Sequence, residues 1–259
     1  MHVSVELCQL APAPGDPSKN AGTVLDLMSG SGSDVFVFPE MFLTGYGADT
    51  SGMEDDVSQC VGMISDSCRD LDKAVAIGSP RFGSECTYNS LLFLSPDGDT
   101  YYDKTHLAKF GMYSEVGFTG GNGPGIGSYH GMLFGMCICY DIFFPEILHG
   151  CSLAGADVNI CSAASAIQSK PFLDTVLPAR ALENVTYLAY VNNTGPMNRC
   201  VMHGCSRGLD PFGKVMTDCG TAECTGTMTI DTDELNEFRE IRHHLADFRS
   251  DIDWGVQRF

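Results

Sequence analysis

The sequence predicts an α/β fold on a mixed sheet, and two features predict it. Short apolar runs of strand length alternate with longer amphipathic or small-residue segments of helical length, and turn chemistry separates several of the runs. The strand-like runs fall near 2–10, 34–38, 73–79, 87–95, 132–139, 157–161, 186–192 and 201–209. The first opens with the alternating segment His2-Val3-Ser4-Val5-Glu6-Leu7. Helical segments fall between them, near 17–29, 55–70, 144–154 and 172–184. Ser95-Pro96-Asp97-Gly98 and Asp210-Pro211-Phe212-Gly213 each read as a tight turn or hairpin between two runs. Hairpins among crossover segments place antiparallel strands beside parallel ones, hence a mixed sheet. Six glycines between Gly117 and Gly127 mark a loop with no lysine-terminated phosphate-binding pattern, so they read as conformational freedom beside a pocket. No repeat or low-complexity linker divides the chain, which is expected to form one domain over 1–259. Its acidic end from Asp231 is expected to pack as a peripheral helix and tail, pinned by Trp254 or held at an oligomer interface.

Composition narrows the function. At 259 residues and 44% hydrophobic content the chain can bury a full core. Its formal net charge of -18 arises from 33 acidic residues against only 15 basic ones. So few cations supply no phosphate-neutralising stripe, which argues against nucleic acid and against an anionic membrane as partners. No apolar run approaches the ~18 residues of a membrane span, and the N-terminus has no basic, cleavable leader, so a soluble, unprocessed chain is expected. Twelve cysteines in a chain of this length, without a secretion signal, point to free thiols in a reducing cytoplasm. Cys8, Cys137 and Cys161 sit in apolar runs as small hydrophobes.

Three segments end a strand-like run on a reactive side chain: Val35-Phe36-Val37-Phe38-Pro39-Glu40, Tyr101-Tyr102-Asp103-Lys104 and Phe134-Gly135-Met136-Cys137-Ile138-Cys139. Strand ends are rigid while the loops beyond them can shape a pocket, so catalytic groups gather there. Taken alone, Glu40 reads equally as a solvated strand end, Lys104 as a surface hairpin lysine and Cys139 as a core thiol.

Their order and company change that reading. Phe38-Pro39-Glu40 with Thr44-Gly45-Tyr46, then Lys104-Thr105-His106-Leu107, then Cys139-Tyr140-Asp141 with Phe144-Pro145-Glu146, resembles the signature of the nitrilase (carbon-nitrogen hydrolase) superfamily. The resemblance continues through Ala179-Arg180-Ala181-Leu182-Glu183-Asn184, Val191-Asn192-Asn193-Thr194-Gly195, and Gly204-Cys205-Ser206-Arg207 with Asp210-Pro211-Phe212-Gly213. It implies a four-layer αββα sandwich with a Glu-Lys-Cys triad of Glu40, Lys104 and Cys139. Glu115 falls where the family places a second glutamate. The chain departs from the pattern at Cys161-Ser162-Ala163, where a proline often precedes the Ser-Ala pair.

The chemistry these residues imply is hydrolysis of the carbon-nitrogen bond of a small amide through a cysteine thioester, with no cofactor and no metal. A thiol with pKa near ~8.5 needs a base or a nearby cation to react at neutral pH. Glu40 is expected to move the protons, Lys104 and the Tyr140 N–H to hold the oxyanion, and Glu115 to orient Lys104 or the substrate. Tyr46, Phe143 and Asn193 are expected to face the pocket. Asp141 is expected to fix the turn that carries Cys139, and Arg180 to pair with Glu183 one helical turn on. Phe143 stands where branches acting on acidic substrates often carry an arginine, which favours a neutral or cationic amide unless Arg199 or Arg207 substitutes. N-carbamoyl amides are the runner-up, nitriles are less favoured, and a binding protein with a degenerate site is the non-enzyme alternative. Cys200-Val201-Met202-His203-Gly204-Cys205 offers three soft ligands but lacks the second ligand pair of a structural zinc site. A papain-like pairing of Cys139 with His106, His130 or His149 lacks a motif. A homodimer is expected, with Ile147, Leu148 and Leu153 of the helix after Cys139 as its apolar face.

Overall fold

In the computed structural model, which describes residues 1–110, 115–197 and 200–252, the apolar runs become the strands of two six-stranded sheets. In the first, β1 (His2–Gln9), β2 (Val35–Val37) and β3 (Ala74–Phe82) run parallel, and hairpins add β4 (Thr87–Leu94) and β5 (Thr100–Asp103) antiparallel. In the second, β6 (Gly125–Tyr129) pairs antiparallel with β7 (Met132–Ile138), which runs parallel to β8 (Val158–Ala163) and β9 (Tyr187–Asn192). A short ribbon of β10 (Thr194–Met197) and β11 (Cys200–His203) stands apart. The second sheet is completed by β12 (Arg207–Leu209) and β13 (Val215–Asp218), after which β14 (Cys224–Asp231) returns to pair with β1.

Period-two alternation makes the layers. In the first sheet Val3, Val5, Leu7, Val35, Val37, Ala74, Ala76, Leu91 and Phe93 face the second sheet's Phe134, Met136, Tyr187 and Ala189 in one core. Their neighbours Cys8, Phe36, Val75, Ile77, Leu92 and Leu94 point the other way, against α1 (Pro17–Gly30) and α2 (Glu54–Leu71). The second sheet is covered by α3 (Pro145–Leu153) and α4 (Lys170–Asn184), which bury Ile147, Leu148, Leu173 and Leu177. The architecture is the four-layer αββα sandwich the sequence led us to expect. Local chemistry sets the helix starts: Pro17 occupies the first turn of α1 while the Asp16 side chain accepts from Lys19 N, and Glu54, Asp55 and Asp56 meet the positive end of α2.

Some elements differ from the sequence reading. The run at 201–209 breaks into β11 and β12 because Gly204 and Cys205 both take positive φ, 62° and 54°. The glycine-rich loop ends at Gly125, where β6 begins. Ile147 and Leu148 are buried inside this chain rather than on a free face, and only Leu153 of the three is exposed. The final strand β14 was not foreseen. Beyond it, α5 (Thr232–Ile241) buries Leu235, and Arg239 donates to Ala156 O at 2.8 Å. Trp254 and Arg199 lie outside the described residues.

Strand direction decides where a site can form. β1, β2 and β3 run one way, and two antiparallel steps return β5 to that direction, so β2 and β5 end at the same edge of the sheet. β7, β8 and β9 likewise end together. The loops leaving these five strands carry Glu40, Lys104, Cys139, Ser165 and Asn193. Gly78 in β3 lets the first of these turns pack close. A Cβ there would overlap the backbone of Pro39, Glu40 and Met41, atoms that cannot rotate away. We expect Gly78→Ala to cost about 1–3 kcal/mol as an overpacked site and to depress turnover through the displaced Glu40; urea unfolding with activity assays of the folded fraction checks both.

Candidate active site

Three charged side chains meet where those loops converge. Lys104 Nζ lies 2.6 Å from Glu40 Oε1 and 2.8 Å from Glu115 Oε1, and all three residues are buried. Burying two carboxylates against one ammonium is costly unless neutral donors saturate the remaining oxygens. Asn89 Nδ2 donates to Glu40 Oε1 at 2.8 Å and to Glu115 Oε1 at 2.9 Å. The Ala164 N–H donates to Glu40 Oε2 at 2.9 Å, and the Ala108 N–H to Glu115 Oε2 at 2.6 Å. Tyr46 OH reaches Glu115 Oε1 at 3.3 Å.

Cys139 begins a tight helical turn, Cys139–Phe143, directly after β7, and its φ of 48° marks a sharp change of direction. A non-glycine residue in this region is strained and must be held by its surroundings. Asp141 supplies the hold: its carboxylate accepts from Tyr102 OH at 2.7 Å, His106 N at 2.8 Å and Ile138 N at 3.3 Å, and pairs with His106 Nδ1 at 2.9 Å. Arg180 braces the turn from α4, donating through Nε to Ile142 O at 2.8 Å while its Nη1 meets Glu183 Oε1 at 2.7 Å.

The electrostatics favour the protonated form of the Cys139 thiol. Burial raises the Cys139 thiol well above its usual value, the nearby Glu40 adds to the rise, and Lys104 opposes it. Burial also raises Glu40, with Lys104 pulling against it and Glu115 reinforcing it. Burial acts to lower Lys104, but the carboxylates of Glu40 and Glu115 outweigh it and hold the ammonium above its usual range.

Cys139 opens into a cavity of about 620 Å³ whose lining includes Tyr46, Phe110, Tyr140, Phe143, Phe172 and Met202. No lining side chain among the described residues carries a charge. Three of the expected pocket residues therefore lie there, Tyr46, Tyr140 and Phe143. Asn193 does not: it is buried behind the site, donating to Glu40 O at 3.1 Å, because the chain turns inward between β9 and β10. Arg207 is engaged by Asp174 at 2.8 Å and Asp218 at 3.1 Å. The three histidines are elsewhere engaged: His106 with Asp141, His130 with Asp72 at 3.0 Å, and His149 with Asn184 at 3.1 Å. Among the described residues no group of three or more His, Cys, Asp or Glu is placed to hold a metal ion. Sequence reading missed Asn89 and Ser165. Asn89 lies inside β4 as an ordinary strand residue, and nothing local to it signals two carboxylates.

The ion cluster makes a signed prediction for stability. Lys104, raised in the fold, contributes stability that is present below its unfolded value and lost as pH rises through its folded one. In Lys104→Met, Glu40 keeps the burial and the neighbouring Glu115 that raise it but loses the cation that opposes them, so its raised folded value favours the fold at acid pH and opposes it as pH rises. The variant should lose about 3–5 kcal/mol near neutrality, the cost of breaking a buried pair, and regain part of it near pH ~5 as Glu40 protonates. Urea unfolding of both proteins at the two pH values measures this.

The sequence profile of the carbon-nitrogen hydrolase family matches residues 4–240. An (R)-stereoselective amidase of Pseudomonas sp is 30% identical over 254 residues, covering 95% of this chain and 92% of that one. An omega-amidase of Escherichia coli is 31% identical over 221 residues, covering 81% and 82% respectively. The structure of a mutant of the amidase from Nesterenkonia sp. AN1, with the acetamide moiety of fluoroacetamide added covalently at its active-site cysteine, superposes with a TM-score of 0.79. It is 25% identical and covers 93% of this chain and 95% of that one. The chain belongs to the carbon-nitrogen hydrolase family.

Proposed function

We propose that this protein hydrolyses small amides through a thioester on Cys139, with Glu40 as the proton carrier and Lys104 as the oxyanion donor. The single observation that carries this reading is the buried Lys104 ammonium, pinned between two carboxylates, with its charge and that of Glu40 both felt at the Cys139 sulfur in opposite senses. The amidases among its relatives support the choice of bond.

Glu40 accepts the thiol proton as the sulfur attacks the amide carbonyl carbon. The carbonyl π pair moves onto oxygen, where Lys104 Nζ and the Tyr140 N–H receive it. The first N–H groups of a helical turn have no partner within the turn and point at such an anion. Each donor of this kind contributes about 10²–10³ in rate. When the tetrahedral species collapses, the carbon-nitrogen bond breaks and the amine departs with the proton from Glu40. Glu40 then deprotonates a water that attacks the thioester, and the carboxylic acid leaves as the thiol is restored. Glu115, Asn89 and Ala164 N hold Glu40 and Lys104 in register throughout. The raised thiol means that deprotonation accompanies attack rather than preceding it.

A cavity wall with no charge among its described residues favours a neutral amide with an apolar acyl group, since a substrate carboxylate would lose its hydration without gaining a partner there. N-carbamoyl amides are the second reading: the same carbonyl geometry accepts them, and they would release ammonia and carbon dioxide. The twelve cysteines, all free thiols, favour a cytoplasmic home. Among the described residues no helix is long and apolar enough to cross a membrane. Exposed Leu153 on α3 and Leu182 on α4 offer apolar contacts for a homodimer.

The test is ammonia release with intact-mass spectrometry across neutral amides, half-amides of dicarboxylic acids and N-carbamoyl amides. Neutral apolar amides should exceed the half-amides in kcat/KM by about tenfold or more, as a desolvated, unpaired carboxylate costs at least ~1.4 kcal/mol. An acyl adduct should form on the wild type and not on Cys139→Ala. Equal ammonia release by the two proteins would remove Cys139 as nucleophile.

A further inference from the structure

The cavity wall beside Cys139 is held by a run of aromatic contacts. Tyr140 follows Cys139 directly, and its ring meets Phe144 edge to face at 5.1 Å; Phe144 stacks on His106 at 3.6 Å with the two rings parallel. The buried Asp141 carboxylate fixes His106 in turn, 2.9 Å from its Nδ1 and accepting from its backbone N–H at 2.8 Å. Tyr140 also meets Phe110 edge to face at 4.8 Å and lies 6.0 Å from the Phe143 ring. Aromatic pairs in these arrangements attract beyond the area they bury, so the Tyr140 ring is placed before any substrate arrives. Exposure rises toward the mouth. Glu40 and Lys104 are buried, Cys139 and Tyr140 are half-buried, and Phe110 and Phe172, which line the same cavity, are 59% and 66% exposed. At about 620 Å³ the cavity has the size of a site for a drug-sized ligand, far more than an amide of two or three carbons fills.

The buried end of the site decides which part of a substrate reaches those exposed rings. Four groups surround the tetrahedral carbon of the proposed mechanism. Sulfur belongs to Cys139, oxygen to Lys104 and the Tyr140 N–H, and nitrogen to Glu40, which leaves the acyl arm to run along the wall to the mouth. The Glu40 carboxylate is enclosed by Lys104, Asn89 and the Ala164 N–H, and neither Glu40, Lys104 nor Glu115 lines the cavity. A large substituent on the departing nitrogen would have to displace these buried, hydrogen-bonded groups and leave their polar atoms unpaired, which is costly. An acyl substituent meets the open cavity instead.

We infer that Tyr140, Phe110 and Phe172 form a subsite for the acyl arm, and that the preferred substrates are primary amides whose acyl chain carries an aryl or comparably large apolar end. The inference deepens the proposed amide hydrolysis at Cys139 and rests on it. The reaction is the same: the acyl carbon-nitrogen bond breaks, ammonia leaves with the proton from Glu40, and water releases the arylalkanoic acid and restores the thiol. Tyr140 supplies the fixed face nearest the sulfur. Phe110 and Phe172 supply the specificity, because covering their exposed faces removes apolar surface from water in proportion to the length of the arm. A short acyl group, seated at the sulfur, leaves both rings wet.

The experiment compares kcat/KM of the full chain for propionamide, 4-phenylbutyramide and N-phenethylacetamide, the last an isomer of the second with its aryl arm on nitrogen. Release of ammonia or of phenethylamine reads turnover. The wild type should favour 4-phenylbutyramide over propionamide by about tenfold or more, and over its N-substituted isomer by about a hundredfold or more. Phe110→Ala and Phe172→Ala should each lower the ratio of 4-phenylbutyramide to propionamide by about threefold to tenfold, and Phe172→Leu should restore part of it. A wild type that turns over propionamide as well as 4-phenylbutyramide overturns the subsite, as does a ratio unmoved in both alanine variants. Equal turnover of the two isomers overturns the placement of the arm on the acyl side. Sedimentation velocity on the same proteins covers the rival occupant: variants that lose self-association while keeping the substrate ratio assign the rings to a contact between copies and overturn the inference. Turnover retained by Cys139→Ala overturns the amidase reading and the subsite with it, whereas a flat substrate series that Cys139→Ala abolishes overturns the subsite alone.

Discussion

The pairing of one buried lysine with two buried carboxylates is the constraint on which the rest of this site depends. Lys104 closes the first sheet's hairpin edge, Glu40 leaves the centre of that sheet, and Glu115 comes from the loop that follows Lys104. Removing such charges from water costs several kcal/mol per ion even after relaxation. The fold offsets this with Asn89 bridging both carboxylates and with backbone N–H groups of Ala108 and Ala164. Ala164 belongs to the loop leaving the second sheet, and Asn193, from the same edge, holds the Glu40 carbonyl. The ion cluster therefore also joins the two sheets at the edge where Cys139 emerges.

That arrangement shifts Cys139, the proposed nucleophile, toward the thiol rather than a preformed thiolate. A lysine beside a cysteine would ordinarily lower the thiol, but this lysine is already matched by two carboxylates, and Glu40 lies as close in electrostatic effect as Lys104 does. The net field at the sulfur therefore favours the proton. A resting thiol resists adventitious alkylation and oxidation, because the thiolate is the reactive form. On the proposed mechanism, its deprotonation is coupled to a substrate whose oxygen gives Lys104 a further negative partner.

How far the sequence was legible depends on whether a residue's role was local. The alternation of β1, β3 and β4 is written in adjacent residues, and so are the turns at Ser95–Gly98 and Asp210–Gly213. Both hairpins form where expected. β14 was missed because Cys224-Thr225-Gly226-Thr227 alternates small and polar residues; it is a strand because β1 offers it an edge. The break within 201–209 needed the backbone, since Cys205 at positive φ carries no compositional signal. Glu40, Lys104 and Cys139 were found through the order of their motifs rather than through any one residue's surroundings. Asn89 and Ser165 meet Glu40, Glu115 and Cys139 only across strands, and so stayed invisible. Asn193 was misplaced for the same reason: its neighbours in sequence say that it lies at a strand end, but the inward turn that buries it is set by Glu40 and Ala163 across the sandwich.

The distribution of charge bears on what the cavity admits. The chain carries a formal net charge of -18, yet the described residues lining the cavity contribute none of it. A protein of this sign repels anions over the range set by ionic strength while leaving neutral molecules unaffected. Inside, aromatic faces from Tyr46, Phe110, Tyr140, Phe143 and Phe172 surround the sulfur. An anionic substrate thus meets opposition twice, from the field outside and from an apolar wall inside with no described cation to receive it. The one buried ammonium near the sulfur, Lys104, is already held by Glu40 and Glu115. On the proposed mechanism it serves the oxyanion that develops on the reacting carbonyl, because that oxygen is bonded to the carbon the sulfur attacks. A carboxylate at the far end of a substrate lies at the wrong place to share it.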